Sequence, residues 1–200
     1  MGTTFNKKTG LLFVKTALIY GIVYVGTNKI NTARNDHFEL FFDWELNIPL
    51  IPFFIIFYLI TFPLALLPIK LLNYEEQVKA SRSIILSTFI GGAIFLLIPT
   101  NLGFVRGAEN LGIFNIAYKM LWFFDDPHNL FPSQHIAVSY LLIMPCLKKI
   151  NIFQKSLLVI LFLLISFSII LVHQHHLLDL FAGFFLGVTC YYIINKYKKA

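Results

Sequence analysis

The sequence predicts an all-α protein: a bundle of six transmembrane helices with short interfacial helices on its outer face. Three observations carry this expectation. Of the 200 residues, 58% are hydrophobic and only 13% are charged, whereas about a quarter of a soluble domain is charged. The mean hydropathy is +0.74. Six mostly apolar stretches approach the ~20 residues that a helix needs to cross a bilayer. This composition excludes an ordinary water-soluble globule, a disordered tail, a collagen-like repeat and a disulfide scaffold. The formal net charge is +6, but the basic residues stand in short clusters between apolar runs. That is a pattern of membrane topology rather than of nucleic-acid contact, so the bilayer is the expected partner and nucleic acid is not.

The first span is expected over residues 9–27, with Lys15 snorkelling to the nearer interface. Lys7 and Lys8 ahead of the apolar run from Leu11 imitate a signal peptide, but no small-residue cleavage site follows, so the segment reads as a retained span. The second span, 48–69, holds Pro49, Pro52, Pro63 and Pro68 and should be bent or broken at its ends. The third covers 83–99, with Gly91 and Gly92 at mid-length. The fourth runs over 132–147, the fifth over 153–172 and the sixth over 177–194. Gly183 and Gly187, four apart in the sixth, allow another helix to approach closely. Cys146 and Cys190 both lie in apolar stretches and read as small buried thiols. No repeat, low-complexity tract or second domain interrupts the chain, so residues 1–200 read as one integral membrane domain.

Orientation follows from the lysines and arginines. With the N-terminus inside, the inner segments hold eleven: Lys7, Lys8, Lys70, Lys79, Arg82, Lys148, Lys149, Lys155, Lys196, Lys198 and Lys199. The outer segments hold four: Lys29, Arg34, Arg106 and Lys119. This bias predicts cytoplasmic termini. Trp44 and Trp122 fall in outer segments, as interface anchors do. Residues 37–46 alternate aromatics with acids, and 111–124 place Leu111, Phe114, Tyr118, Leu121 and Trp122 at helical spacing, so each can lie flat in the interface.

The ionisable residues gather in two places. Three of the six histidines, His173, His175 and His176, stand just before Asp179, and His135 follows Phe131-Pro132-Ser133-Gln134. Both stretches fall at the outer ends of their spans, and titratable groups at membrane depth usually face an interior site. If the sixth helix begins by residue 175, His175 and Asp179 share a face, and the carboxylate fixes one imidazole nitrogen while the other is free to attack. His135 then supplies a proton to a leaving oxygen. Pro132 suits the first turn of a helix, whose free N–H groups at Ser133, Gln134 and His135 form a phosphate site. Arg106 and Lys119 are candidates to neutralise the remaining negative charge, with a solvated or interfacial charge as the plainer alternative for each. Asn129 is a candidate substrate contact, or braces the loop beside Asp125 and Asp126. His37, His128 and His176 read as interface residues. A metal site made from His173, His175, His176 and Asp179 is the rival, but adjacent histidines on a helix point about 100° apart and do not both reach one ion. No metal and no cofactor is expected.

Residues 125–135, Asp-Asp-Pro-His-Asn-Leu-Phe-Pro-Ser-Gln-His, resemble the second signature of the type 2 phosphatidic acid phosphatase superfamily. Residues 172–183, with Gln174-His175, Asp179 and Ala182-Gly183, resemble its third. Residues 47–52 and 98–100 are similar to the branch that includes sphingomyelin synthases, inositol phosphorylceramide synthases and many small bacterial members, and the likeness spans about 43–187. The resemblance implies a six-helix membrane enzyme that cleaves or transfers a phosphoryl group without metal. It assigns His175 as a nucleophile forming a phosphohistidine, Asp179 as its orienting carboxylate, His135 as the proton donor and Ser133 as a phosphate contact. There are departures. Where phosphatase members carry Ser-Arg, seven and six residues before the nucleophile, this chain has Ser168 and Ile169. His173 stands where bacterial members of the nearer branch often have Lys, and Gly107 rather than Pro follows Arg106. The expectation is therefore a multi-pass enzyme of a bacterial inner membrane, with its site at the outer leaflet, hydrolysing a lipid phosphate ester. Transfer of a phosphorylated headgroup between lipids is the alternative, and a non-catalytic transporter or scaffold is a third. Oligomeric state is left open.

Overall fold

Proline spacing explains the most irregular part of the fold. A proline at position i lacks an N–H and crowds the carbonyl at i−4. In the computed structural model, which describes residues 7–107 and 110–196, the second apolar stretch begins with a 3₁₀ turn at Pro52–Phe54 and continues as α2 (Ile55–Leu59), α3 (Thr61–Leu64) and α4 (Leu66–Leu71). Helix α2 ends four residues before Pro63 and α3 four before Pro68. The residues between them, Ile60 and Ala65, keep right-handed helical angles. The bends thus fall inside the stretch as well as at its ends.

The longer helices are α1 (Lys7–Thr32), α5 (Tyr74–Leu97), α8 (Ile152–Leu171) and α9 (Leu177–Lys196). These four are long and apolar enough to cross a membrane among the described residues. The expected fourth span is α7 (Gln134–Ile143) followed by a 3₁₀ segment, Met144–Lys149, in which Pro145 stops the α-helical ladder. Helices α5 and α8 start with capping boxes. The Asn73 side chain accepts from the Glu76 N–H at 3.0 Å, and Asn151 from that of Gln154 at 2.9 Å. Lys149 and Glu76 pair at 2.7 Å and tie these two ends together. Of the basic residues expected at that end, Lys198 and Lys199 lie outside the described residues.

Helix α7 is central. Ile136, Ala137 and Leu141 are fully buried, against α5, α8 and α9. The close approach expected of Gly183 and Gly187 is made with this helix. A Cβ on Gly183 would collide with the Ser133 carbonyl, and one on Gly187 would stand 3.0 Å from the Ala137 oxygen. Helix α1 packs on α5, where Thr16 Oγ1 and Ser81 Oγ lie 2.6 Å apart. Cys146 and Cys190 are buried free thiols.

The two segments expected on the outer face differ from one another. Helix α6 (Asn115–Phe124) forms, and Ile116, Met120, Phe123 and Phe124 stay exposed on it. Residues 37–46 are not helical in the same way: Phe38 makes an isolated bridge to Thr100, and Asp43–Asn47 is a 3₁₀ turn. Those four side chains of α6, and Phe38, Phe42 and Trp44 of 37–46, are exposed, which suits a lipid-facing surface.

Candidate active site

Two helix starts meet at the end of the bundle remote from Lys149. Ser133 is the N-cap of α7, so Pro132 precedes the cap rather than occupying the first turn. The Ser133 N–H donates to the Asp179 carbonyl at 3.0 Å. That amide is therefore used up, and the N–H groups free for a ligand are those of the first turn, beginning at Gln134.

Chain reversal after α8 brings His175 to this point. The Gln174 N–H donates to the Ile169 carbonyl at 3.0 Å and the His173 N–H to that of Ile170 at 2.9 Å. These are the two bonds of a Schellman ending, with His173 at φ 52° in the left-handed position that glycine usually fills. The His173 ring stacks on Phe104, with centroids 3.7 Å apart, and its Nε2 lies 2.8 Å from the Ile48 carbonyl. It shapes the turn and is not brought to the paired histidines.

His175 precedes α9 rather than lying within it, so the helical i, i+4 argument for its contact with Asp179 does not apply. The contact forms nonetheless. Asp179 Oδ2 is 3.3 Å from His175 Nδ1 and also accepts the His176 N–H at 2.9 Å. The carboxylate caps the first turn of α9 and orients the ring together. The His135 and His175 rings stand with centroids 6.1 Å apart. Tyr58 stacks on His135 at 4.1 Å, and its buried hydroxyl has no hydrogen-bond partner. Ser133 Oγ is likewise buried and unpartnered.

Arg106 reaches in from the loop between α5 and α6. Its Nη1 donates to the Asp125 carbonyl at 2.6 Å and its Nη2 to Gln174 Oε1 at 3.1 Å, while the buried Nε has no partner. Burial lowers the Arg106 pKa, and nearby Asp125 opposes this. Burial raises the Asp125 carboxyl, against a hydrogen bond from Tyr24 and the charges of His175 and Arg106. Arg106 is thus a partly desolvated cation bonded to the side chain of Gln174, the residue before His175.

Other sequence candidates stand elsewhere. The Gln134 side chain turns inward to α5, where Nε2 donates to the Ser87 carbonyl at 3.3 Å and Oε1 accepts from Ser87 Oγ at 3.4 Å. Asn129 brackets the loop to α1: Nδ2 donates to the Tyr24 carbonyl and to Thr27 Oγ1, each at 2.9 Å, and Oδ1 accepts from Asn31 at 3.0 Å. Lys119 is exposed on α6. His176 is buried, not interfacial, and its Nε2 lies 2.7 Å from the Leu102 carbonyl. His37 and His128 stack on each other at 4.2 Å. Among the described residues no three His, Cys, Asp or Glu side chains gather as a metal site.

Sequence reasoning missed Tyr58, Gln174 and Glu45. Glu45 is fully buried, and its Oε2 accepts the Leu177 N–H at 2.8 Å, so a second carboxylate holds the start of α9. Its signal was an acid among the aromatics of 37–46.

The PAP2 superfamily model matches residues 113–200, a stretch that includes Ser133, His135, His175 and Asp179 but not Glu45, Tyr58 or Arg106. Among solved structures, the chain is similar to the crystal structure of Aquifex aeolicus LpxE, with a TM-score of 0.54 and 20% sequence identity over 86% of this chain and 93% of that one. This likeness establishes a shared fold. Comparison with curated proteins gives no match.

Proposed function

We propose that this chain is an integral membrane lipid phosphatase of the PAP2 type that works through a phosphohistidine. The observation that carries the reading is the His135–His175 pair, ring centroids 6.1 Å apart between two helix starts, with Asp179 Oδ2 at His175 Nδ1. Rings this close can address one phosphoryl group from two sides, one as nucleophile and the other as proton donor to the leaving oxygen. His175 attacks phosphorus through Nε2 while Asp179 holds Nδ1. The phosphorus–oxygen bond to the lipid breaks, and His135 protonates the departing oxygen. Water then attacks the phosphohistidine, His135 takes its proton, and phosphate leaves. Ser133 Oγ, Arg106 and the first-turn N–H groups of α7 receive the non-bridging oxygens.

The same reading has six spans, with the broken stretches α2–α4 and α7 plus its 3₁₀ extension crossing as two of them. The lysine-rich end faces the cytoplasm and the histidine pair faces the outer leaflet, in keeping with the positive-inside bias. The likeness of 47–52 and 98–100 to the sphingomyelin synthase branch favours headgroup transfer as the second outcome.

The test is to offer purified protein a panel of lipid phosphates and follow both free phosphate and lipid products. Phosphate release that is abolished in His175→Ala and unaffected by a chelator is expected. A new phospholipid without free phosphate would move the assignment to transfer. Wild-type turnover by His175→Ala would end the mechanism.

A further inference from the structure

Tyr58 stands near the end of α2, the short helix that Pro63 cuts off. Its side chain is fully buried, and its ring stacks on His135 with centroids 4.1 Å apart and planes 28° from parallel. Phe62, one turn on, meets the same imidazole edge-on at 6.2 Å. Two rings of the proline-broken stretch thus hold the His135 ring at the start of α7. Tyr58 and His135 line one cavity together, with Asp125 and Tyr24.

The stack explains the Tyr58 ring but not its hydroxyl. A buried hydroxyl without a hydrogen bond costs stability, and phenylalanine would make the same stack without that cost. Tyr58 Oη is nevertheless buried with no hydrogen-bond partner among the described residues. Tyr24 gives the contrast, since its hydroxyl donates to Asp125 Oδ1 at 2.9 Å. Tyr58 is close enough to Asp125 and Arg106 to feel both charges, yet its hydroxyl bonds to neither. A spare O–H therefore belongs to the residue stacked on the imidazole that the mechanism uses as its proton donor. A phenol of ordinary pKa ~10 keeps its proton at neutral pH, so it offers a hydrogen bond and not a proton.

We infer that Tyr58 is a catalytic residue whose hydroxyl donates a hydrogen bond to the leaving oxygen of the phosphate ester, beside His135. This rests on the phosphatase reading above, which leaves that oxygen to His135 alone. In the first step His175 Nε2 bonds to phosphorus, the bond from phosphorus to the ester oxygen breaks, and that oxygen keeps the electron pair. His135 gives the oxygen its proton. Tyr58 keeps its own proton and stabilises the charge that builds before the transfer is complete. Such help matters for an ester of an aliphatic alcohol, whose departing oxygen is strongly basic, and not for an ester whose oxygen leaves as a stable anion.

Tyr58→Phe keeps the stack and removes only the hydroxyl. Purified wild-type and variant protein are given dodecyl phosphate and a dodecyl-substituted nitrophenyl phosphate. Release of the alcohol or the nitrophenol is followed, which reports the same bond breaking whether water or a lipid accepts the phosphoryl group. With dodecyl phosphate, kcat should fall about 100-fold at little-changed KM. With the nitrophenyl ester, whose anion departs without a proton, it should change little. The Tm of Tyr58→Phe should equal or exceed that of wild type, because an unbonded buried hydroxyl is gone. An unchanged kcat for dodecyl phosphate overturns the role. Equal losses on both esters would assign the hydroxyl to the non-bridging oxygens and overturn the leaving-group contact. A loss of rate matched by a lower Tm would make the hydroxyl a packing element and also overturn it. Wild-type protein that cleaves neither ester would sink the phosphatase reading itself and this role with it, whereas equal cleavage by wild type and variant sinks the role alone.

Discussion

Gly183→Ala isolates the contact on which the histidine geometry depends. Gly183 faces the Ser133 backbone across the α7–α9 interface. An added Cβ would overlap the Ser133 carbonyl oxygen and stand 3.1 Å from its carbon and 3.2 Å from Ser133 Cβ. The first two obstacles are backbone, so no rotamer change relieves them. Restoring an ordinary contact of ~3.5 Å requires the helices to part by about 1 Å at this level. The Ser133 N–H to Asp179 carbonyl bond, 3.0 Å long, spans the same gap and would stretch with it. His135 lies two residues from Ser133, and Asp179 one turn before Gly183, so the displacement arrives at the reacting groups. A misplacement of ~1 Å costs about 100-fold in rate, and overpacking costs about 1–3 kcal/mol of stability. Gly187→Ala is the control, because its nearest obstacle, the Ala137 oxygen at 3.0 Å, needs a shift of only a few tenths of an ångström. Phosphate release and thermal unfolding in detergent measure both effects. The expected order is wild type, then Gly187→Ala, then Gly183→Ala far below. Full activity and stability in Gly183→Ala, or the reverse order of the two variants, would refute the argument.

Three further outcomes follow from the same geometry. Asp179→Asn replaces the acceptor shared by His175 Nδ1 and the His176 N–H. The rate should fall by about 10³–10⁴ with KM little changed, and a variant keeping a tenth of wild-type kcat would remove the orienting role. Asn129→Ala breaks the bracket to Tyr24, Thr27 and Asn31. It should cost about 1–3 kcal/mol, seen as a lower Tm, whereas a raised KM at unchanged Tm would make Asn129 a substrate contact. Burial raises the Asp125 carboxyl, so the stability it contributes is fully present below the ordinary carboxylate value near pH ~4 and is lost as pH rises through the higher native value. The Tm of Asp125→Asn relative to wild type should therefore climb across that interval, and a pH-independent difference would contradict it.

Apolar run length, proline spacing and the glycine pair made most of the fold legible, because each acts locally. Pro63 and Pro68 break a helix wherever it packs, and Gly183 with Gly187 marks a close approach without naming the partner helix. His135, His175 and Asp179 stood out as candidates because titratable groups in apolar surroundings need a reason. What the residues did not disclose was which polar groups the fold itself consumes. Gln134, Asn129 and His173 looked as functional as Ser133 and Arg106. Yet Gln134 is taken by Ser87, Asn129 by α1, and His173 by Phe104 and the Ile48 carbonyl. By contrast, Ser133 Oγ, Arg106 Nε and Tyr58 Oη are buried with hydrogen-bonding capacity left over. A buried polar group without a partner is costly, and the partners that decide the matter stand dozens of residues away: 47 from Gln134 to Ser87 and 102 from Asn129 to Thr27. Periodicity carries no information at that separation. On the proposed mechanism the leftover capacity of Ser133, Arg106 and Tyr58 is what a phosphate would meet, whereas Gln134, Asn129 and His173 are spent on holding the fold together.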